Sequence, residues 1–168
     1  GSAQVFAAEK TPVDASGDIP FFNAFVKISP DSKVTIVVKH LDMGQGVSTG
    51  LTSLVAEELD ASWEQMHWEF APADSSRYNN LFWGPAQGTG GSSSIANSWM
   101  QLREAGAAAR AMLVAAAAAE WKVPAEEIQV KNGIISHGNH SSRFGALVAQ
   151  ASLLPAPQKP RVKDPKDF

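Results

Sequence analysis

The sequence predicts a mixed α/β (α+β) fold, a mixed sheet of short strands and hairpins packed against two or three helices, one long and Ala-rich. Three observations predict it. Short β-branched runs alternate with turn residues in the first third of the chain, a long alanine-rich stretch follows, and an Asn-Gly pair separates two apolar runs further on.

Taken in order, residues 1–20 are polar, contain Pro and Gly, and read as an extended N-terminal arm. Residues 24–28 read as a strand. Ser29-Pro30-Asp31-Ser32-Lys33 has turn chemistry, and the β-branched run 34–38 completes a hairpin. The turn Met43-Gly44-Gln45-Gly46 follows. Apolar residues at Val47, Leu51, Leu54, Val55 and Leu59 then carry a helical period. Met66-His67-Trp68-Glu69-Phe70 alternates as a third strand. Residues 71–91 show no periodicity, and a loop of that length inside a compact domain is functional or disordered as a rule; Tyr78, Phe82 and Trp83 argue for packing.

Residues 92–121 read as one helix with a bend expected near Gly106, and their alanines favour helix intrinsically. Small side chains on most faces let neighbours approach, which makes this helix central. Pro124-Ala125-Glu126-Glu127 suits a single turn with Pro leading it. Lys131-Asn132-Gly133 between the apolar runs 128–130 and 134–136 is a hairpin signal. Ser141 or Ser142 is placed to cap a last helix over residues 144–154, which Pro155 ends. This divides the chain into an arm (1–20), a domain (21–154) and a Pro-rich exit linker (155–168).

Composition narrows the function. A chain of 168 residues is one domain, able to bury roughly 70% of its unfolded surface. A hydrophobic content of 44% against 18% charged residues is a globular balance. A net charge of −3, with no run of Lys and Arg, gives no reason to expect a nucleic-acid surface. The basic residues from Lys159 to Lys166 are interleaved with Asp164 and read as solvated. Without cysteine the sequence holds no disulfide, thiolate zinc site or protein-ligated iron–sulfur cluster. The longest apolar run, residues 111–119, is too short for a membrane span, which needs about 20 residues.

Two glycine turns carry the chemistry. Gly84-Pro85-Ala86-Gln87-Gly88-Thr89-Gly90-Gly91-Ser92-Ser93-Ser94 leads directly into the long helix, whose first turn offers unpaired N–H groups and a positive dipole end to an anion. Gly44-Gln45-Gly46 stands before the other helix. It is open to reading as a plain strand-to-helix turn, but the Gln45 amide can both donate and accept along a heterocycle edge. Two such turns suggest one large anionic ligand held at two points. Neither matches a Walker or dinucleotide fingerprint, and no Gly-x-Ser-x-Gly elbow marks Ser92, Ser93 or Ser94 as a nucleophile. His40, His67, His137 and His140 show no metal-ligand spacing. Glu57-Glu58 and Glu126-Glu127 are adjacent pairs expected to face solvent. Asn139-His140-Ser141 fits a glycosylation triplet that means little without a secretory context.

These stretches together resemble the N-terminal part of the molybdopterin-binding subunit of the molybdenum hydroxylases (the xanthine dehydrogenase/aldehyde oxidase family), closest to the branch of isoquinoline 1-oxidoreductase beta subunits and their aldehyde dehydrogenase relatives. The resemblance runs through Val37-Val38-Lys39-His40-Leu41-Asp42-Met43-Gly44-Gln45-Gly46, Ala56-Glu57-Glu58-Leu59-Asp60, Gln87-Gly88-Thr89-Gly90-Gly91-Ser92-Ser93-Ser94 and Leu102-Arg103-Glu104-Ala105-Gly106. It implies that Met43, Gly44, Gln45 and Gly46 line the pterin of a molybdopterin, expected as its cytosine dinucleotide and carrying molybdenum. It also implies that Thr89, Gly90, Gly91, Ser92, Ser93 and Ser94 hold the phosphate or pyrophosphate.

The family's catalytic glutamate and its phenylalanine-bearing glycine loop lie far downstream, so no catalytic residue and no metal ligand are expected in this chain. The resemblance therefore implies the cofactor-binding portion of a complex that oxidises an aldehyde or N-heterocycle with oxygen from water. Its expected partners are the remainder of the molybdopterin-binding subunit, a [2Fe–2S] subunit and a cytochrome c electron acceptor. The resemblance implies a periplasmic location, since relatives in this branch often carry a twin-arginine leader, and Gly1-Ser2 has the look of an expression scar left where a leader was removed; the cytoplasm is the alternative. A phosphate- or nucleotide-binding module, or an assembly domain with no redox role, stands as the rival reading.

Overall fold

The structure is a computed structural model that describes residues 22–168, so the expected arm over residues 1–20 lies outside the described residues. Strand β1 (Val26–Ile28) pairs antiparallel with β2 (Val34–Val38), Val26 opposite Ile36. The turn between them closes through the Ser29 N–H to Lys33 O (2.9 Å) with Ser32 in the left-handed region. Parallel strands need a crossover, and helix α1 (Val47–Leu59) supplies it between β2 and β3 (Met66–Phe70), which pair parallel from Val34–Met66 to Val38–Phe70. The sheet is thus mixed, as expected. β2 is its centre and is buried at every position, which explains an unbroken β-branched run where a half-buried strand would alternate.

The 71–91 loop is ordered and holds a one-turn helix, α2 (Ser75–Tyr78), started by the Asp74 carboxylate accepting from Ser76 N. Tyr78 is buried edge-on against Phe25 and donates to Ala24 O (2.8 Å). Helix α3 (Ser94–Trp121) runs unbroken through Gly106. Its buried face (Leu102, Ala105, Ala109, Met112, Leu113, Ala116, Ala117) belongs to the single core shared with α1 and the sheet.

Gly106 serves helix packing. A Cβ there would stand 2.9 Å from the Glu58 Cβ and 3.2 Å from Val55 O, so α1 and α3 meet backbone to backbone. The two helices run parallel: Gly50 faces Ile95, Glu58 meets Arg103, and Asp60 meets Arg110. Glu57 is exposed, as expected of the Glu57-Glu58 pair, but Glu58 is not. Glu58 is 1% exposed and accepts from Arg103 Nε at 2.7 Å. A carboxylate on the buried face of an amphipathic helix is hidden from periodicity arguments, because its partner lies 45 residues away.

The second sheet is an antiparallel meander of β4 (Gln129–Lys131), β5 (Ile134–His137) and β6 (His140–Arg143). Asn132 and Gly133 both take positive φ, the geometry an Asn-Gly hairpin requires, and Gly133 N donates to Asp60 O (2.8 Å). Ser141 and Ser142 are strand residues of β6 and cap nothing. Helix α4 (Phe144–Ala151) starts from an extended Arg143 and stops short of residue 154. β6 was illegible because His-Ser-Ser-Arg has neither β-branched residues nor an apolar face; the ladder to β5 makes it a strand. The basic tail is not free in solvent either: Lys163 bonds to Glu58, Arg103 and Asp60.

Replacing a helical glycine by alanine gains about 1 kcal/mol from propensity alone. At Gly106 the Cβ meets backbone and a β-carbon that cannot swing away, so overpacking wins. Gly106→Ala is expected to lower stability in denaturant unfolding, and Gly106→Val to lower it by about 1–3 kcal/mol. A stabilised Gly106→Ala would place the helices further apart than described.

Candidate functional site

Ligand sites in sheets with parallel strands form beyond the carboxyl ends of the strands. Beyond β2, three consecutive residues grip the long loop. Lys39 Nζ donates to Asn79 O (3.1 Å), the His40 Nδ1 lies 3.1 Å from Gly88 O, and Leu41 N donates to Thr89 Oγ1 (2.7 Å). The two glycine turns predicted from sequence are therefore held side by side. Because α1 and α3 are parallel, both helix N-termini open on this one face.

The two ends differ. At α1, the Asp42 carboxylate accepts from Gly44 N (2.9 Å), Gly46 N (3.4 Å), Ser48 N (3.0 Å) and the Ser48 hydroxyl. Those hydrogen bonds, the Ser48 hydroxyl foremost, lower its pKa to about 2. The positive end of α1 is thereby filled by the protein's own anion. The Gln45 side chain closes the same turn, with Nε2 donating to Leu41 O (2.8 Å) and Oε1 accepting from Met43 N (2.5 Å). These bonds use one of the amide's two N–H groups and one of its acceptor sites, and the exposed Gln45 keeps the others. What the turn presents outward is backbone, the exposed Met43 side chain and the rest of the Gln45 amide. Gly44 and Gly46 have positive φ, and a Cβ on either would meet nothing within 4 Å.

At α3 the end is open. The cap residue Ser93 makes no side-chain capping bond. It is buried, donates its hydroxyl to Gly90 O (2.7 Å) and accepts from Asn80 Nδ2 (3.0 Å). The first intrahelical bond runs from Asn97 N to Ser93 O, so the N–H groups of Ser94, Ile95 and Ala96 precede it and take no acceptor among the described residues. The Ser92 and Ser94 hydroxyls likewise bond to nothing there. Gly91 (φ +61°) and Ser92 (φ 54°) turn the backbone into this end, and the outer side of Gly91 is empty. Of the predicted residues, Gly91, Ser92 and Ser94 face outward, whereas Thr89 and Ser93 hold the loop's shape.

Sequence reasoning missed what sets that shape. Asn80 is fully buried and uses every polar atom: N to Ala86 O, O from Trp83 N, Oδ1 from Phe82 N and Asn97 Nδ2, Nδ2 to Gly88 O and Ser93 Oγ. Asn97 Nδ2 also donates to Ser93 O (2.7 Å), which turns Oδ1 toward His40 Nε2 at 3.3 Å. Gly88 and Gly90 make room for a side chain of the protein itself, since a Cβ on Gly88 would lie 2.2 Å from the Trp83 ring. Leu41, Met43, Leu81, Phe82 and Trp83 are exposed around the turns.

Among the described residues no group of three or more His, Cys, Asp or Glu side chains forms a metal site, and no helix is long and apolar enough to cross a membrane.

Residues 3–165 match the family of the molybdopterin cofactor-binding domain, and the chain belongs to that family. Among relatives, it is 38% identical over 149 residues to the isoquinoline 1-oxidoreductase subunit beta of Brevundimonas diminuta, covering 87% of this chain and 19% of that one. It is 31% identical over 142 residues to a membrane-bound aldehyde dehydrogenase [pyrroloquinoline-quinone] of Gluconacetobacter polyoxogenes, covering 83% and 18%. Quinoline 2-oxidoreductase from Pseudomonas putida 86 shares the fold, with TM-score 0.57 and 20% identity over 77% of this chain and 16% of that one. The chain spans less than a fifth of the length of these relatives.

Asn80→Ala is expected to strip partners from Gly88 O, the Ser93 hydroxyl and Asn97 at once. Four side-chain hydrogen bonds are lost, each worth about 0.5–1.5 kcal/mol net, so the unfolding free energy should fall by about 2 kcal/mol or more, with faster amide exchange across residues 88–93.

For His40, burial pushes the pKa down and outweighs the two hydrogen bonds that favour the charged ring. The unfolded ring takes its proton near pH ~6.5 and the folded ring only at lower pH, so the unfolded state holds more protons in between. Stability should decline as pH falls below about 6.5, and His40→Gln should flatten that decline in thermal melts followed from pH 7.5 to 5.

Proposed function

We propose that this chain is the part of a molybdenum-dependent hydroxylase that seats the anionic end of a molybdopterin, in its cytosine dinucleotide form. The observation that carries the reading is the open N-terminus of α3, with three amides and the Ser92 and Ser94 hydroxyls unpaired among the described residues and an empty space over Gly91. Phosphate suits that donor set. The α1 turn already holds the Asp42 carboxylate, so a second anion is unwelcome there, and an uncharged pterin edge against the Gly44 and Gly46 backbone and Met43 is the complementary assignment. The residues present thus fit the group, one turn for each of its ends.

When bound, the cofactor supplies the redox centre at which oxygen from water is transferred to an aldehyde or N-heterocycle. This chain's own residues contribute binding and orientation. Gly91, Ser92 and Ser94 grip phosphate, and Lys39, His40 and Asn80 keep that grip in place from behind. The relatives' names support the substrate classes. Their greater length, together with the exposed Leu41, Met43, Leu81, Phe82 and Trp83, supports a partner polypeptide over the turns, the rest of a longer subunit. A [2Fe–2S] subunit and a cytochrome c acceptor would carry electrons away, as the chain has no thiolate of its own.

Molybdenum and oxidised, fluorescent pterin should be present in the complex purified with its partner chains. Gly91→Val strains a left-handed position and fills the open space, and should weaken cofactor binding about tenfold, a loss of ~1.4 kcal/mol, read as molybdenum occupancy with cofactor supplied near half-saturation of the wild type. A folded Gly91→Val complex with wild-type occupancy would refute the assigned grip. A wild-type complex with neither pterin nor molybdenum would favour a plain phosphate-binding module.

A further inference from the structure

The buried Glu58–Arg103 pair lies outside the site and is larger in its connections than an ion pair needs to be. Glu58 divides its two oxygens, Oε1 accepting from Arg103 Nε (2.7 Å) and Oε2 from the backbone N–H of Lys163 (3.0 Å). Arg103 Nη2 in turn donates to the carbonyl of the same Lys163. One peptide residue, donor and acceptor together, is thus received by one carboxylate and one guanidinium, as a neighbouring β-strand would receive it. The contacts around it are specific as well. Lys163 Nζ meets Asp60 at 2.5 Å, and the Arg103 guanidinium lies 4.9 Å from the Phe168 ring centroid and 5.6 Å from that of Trp99.

We propose that the α1–α3 seam is a peptide-binding slot, occupied here by the chain's own residues 161–168, which dock and leave as a unit. The slot reads backbone through Glu58 and Arg103, a basic side chain through Asp60, and an aromatic ring through the face of the Arg103 guanidinium. Its design tolerates departure. When the strap leaves, Glu58 and Arg103 remain paired with each other and water reaches the freed atoms, so no buried charge is stranded. Removing either member of the pair does strand the other, at a far higher cost. The helices are also joined at Gly106, away from the strap, and by Arg110 to Asp60 (2.9 Å), through the carboxylate oxygen that Lys163 does not use. The strap itself has local order from the Asp164 carboxylate accepting from Lys166 N (3.1 Å), so it moves as a preformed turn.

Trypsin cleavage after Arg161 in the full chain reads the docked state, because proteolysis tracks the population of the open form when opening is fast. Lys163→Pro removes the N–H and the ammonium together, and Phe168→Ala removes the ring; both leave every residue of α1 and α3 in place. Each is expected to speed that cleavage about tenfold or more, with the thermal midpoint of the helices unmoved. Glu58→Gln should release the strap too, and lower the midpoint besides. Cleavage at the wild-type rate in Lys163→Pro or Glu58→Gln would overturn the slot. So would a Lys163→Pro midpoint lowered as far as that of Glu58→Gln, which would make the strap an inseparable part of the core.

Discussion

The arrangement of the site rests on one buried amide. Asn80 spends all of its donors and acceptors within the segment from Phe82 to Asn97, tying the loop's start, its glycine turn and the cap of α3 to a single point. Inside a protein such a network is worth most when every member is satisfied, and costs most when one is not. Because Asn80 satisfies Ser93 from behind, the Ser93 hydroxyl turns away from the usual capping position, and the first amides of α3 stay unpaired toward the outside. The opening at α3 is therefore made by hydrogen bonding elsewhere in the loop. His40 and Asn97 extend the same network to the end of β2, which sets the loop against the Gly44–Gly46 turn.

A second constraint brings the two helix ends to one face. The crossover from β2 to β3 fixes where α1 begins, and the absence of a side chain at Gly106 lets α3 lie along it in parallel. Two parallel helices present two positive ends side by side, which would repel each other and attract anions. The protein fills one end with Asp42 and leaves the other open. That asymmetry makes the two glycine turns unequal, one helix end filled by a carboxylate and the other open to an acceptor, and it is the ground on which the proposed grip is assigned.

Much of the fold was legible. The β-branched run at 34–38, the helical period from Val47 to Leu59 and the Asn-Gly hairpin each rest on local chemistry, and each is where the sequence placed it. The two glycine turns before helices, the ground of the candidate site, were legible for the same reason. The site's workings were not. Asn80, Asn97 and His40 act on one another across 17 to 57 residues, and nothing local distinguishes them from solvent-facing polar residues. Glycine was also ambiguous. Gly88 has no side chain because Trp83 needs the space, whereas Gly91 and Gly44 answer a positive φ with open space beyond. Glu58 shows the general limit: a helix's periodicity tells which face is buried but not which charged residue has a partner there.

The central claim is that the open end of α3, and not the sealed end of α1, takes the cofactor's anionic group. An experimental structure of the assembled complex with cofactor bound tests it most directly. The account predicts a phosphate oxygen about 3 Å from the N–H groups of Ser94, Ile95 or Ala96, with Asp42 still bound to Gly44 and Ser48. A phosphate seated on the Gly44–Gly46 turn, with Asp42 displaced and the α3 amides covered by another part of the protein, would contradict it.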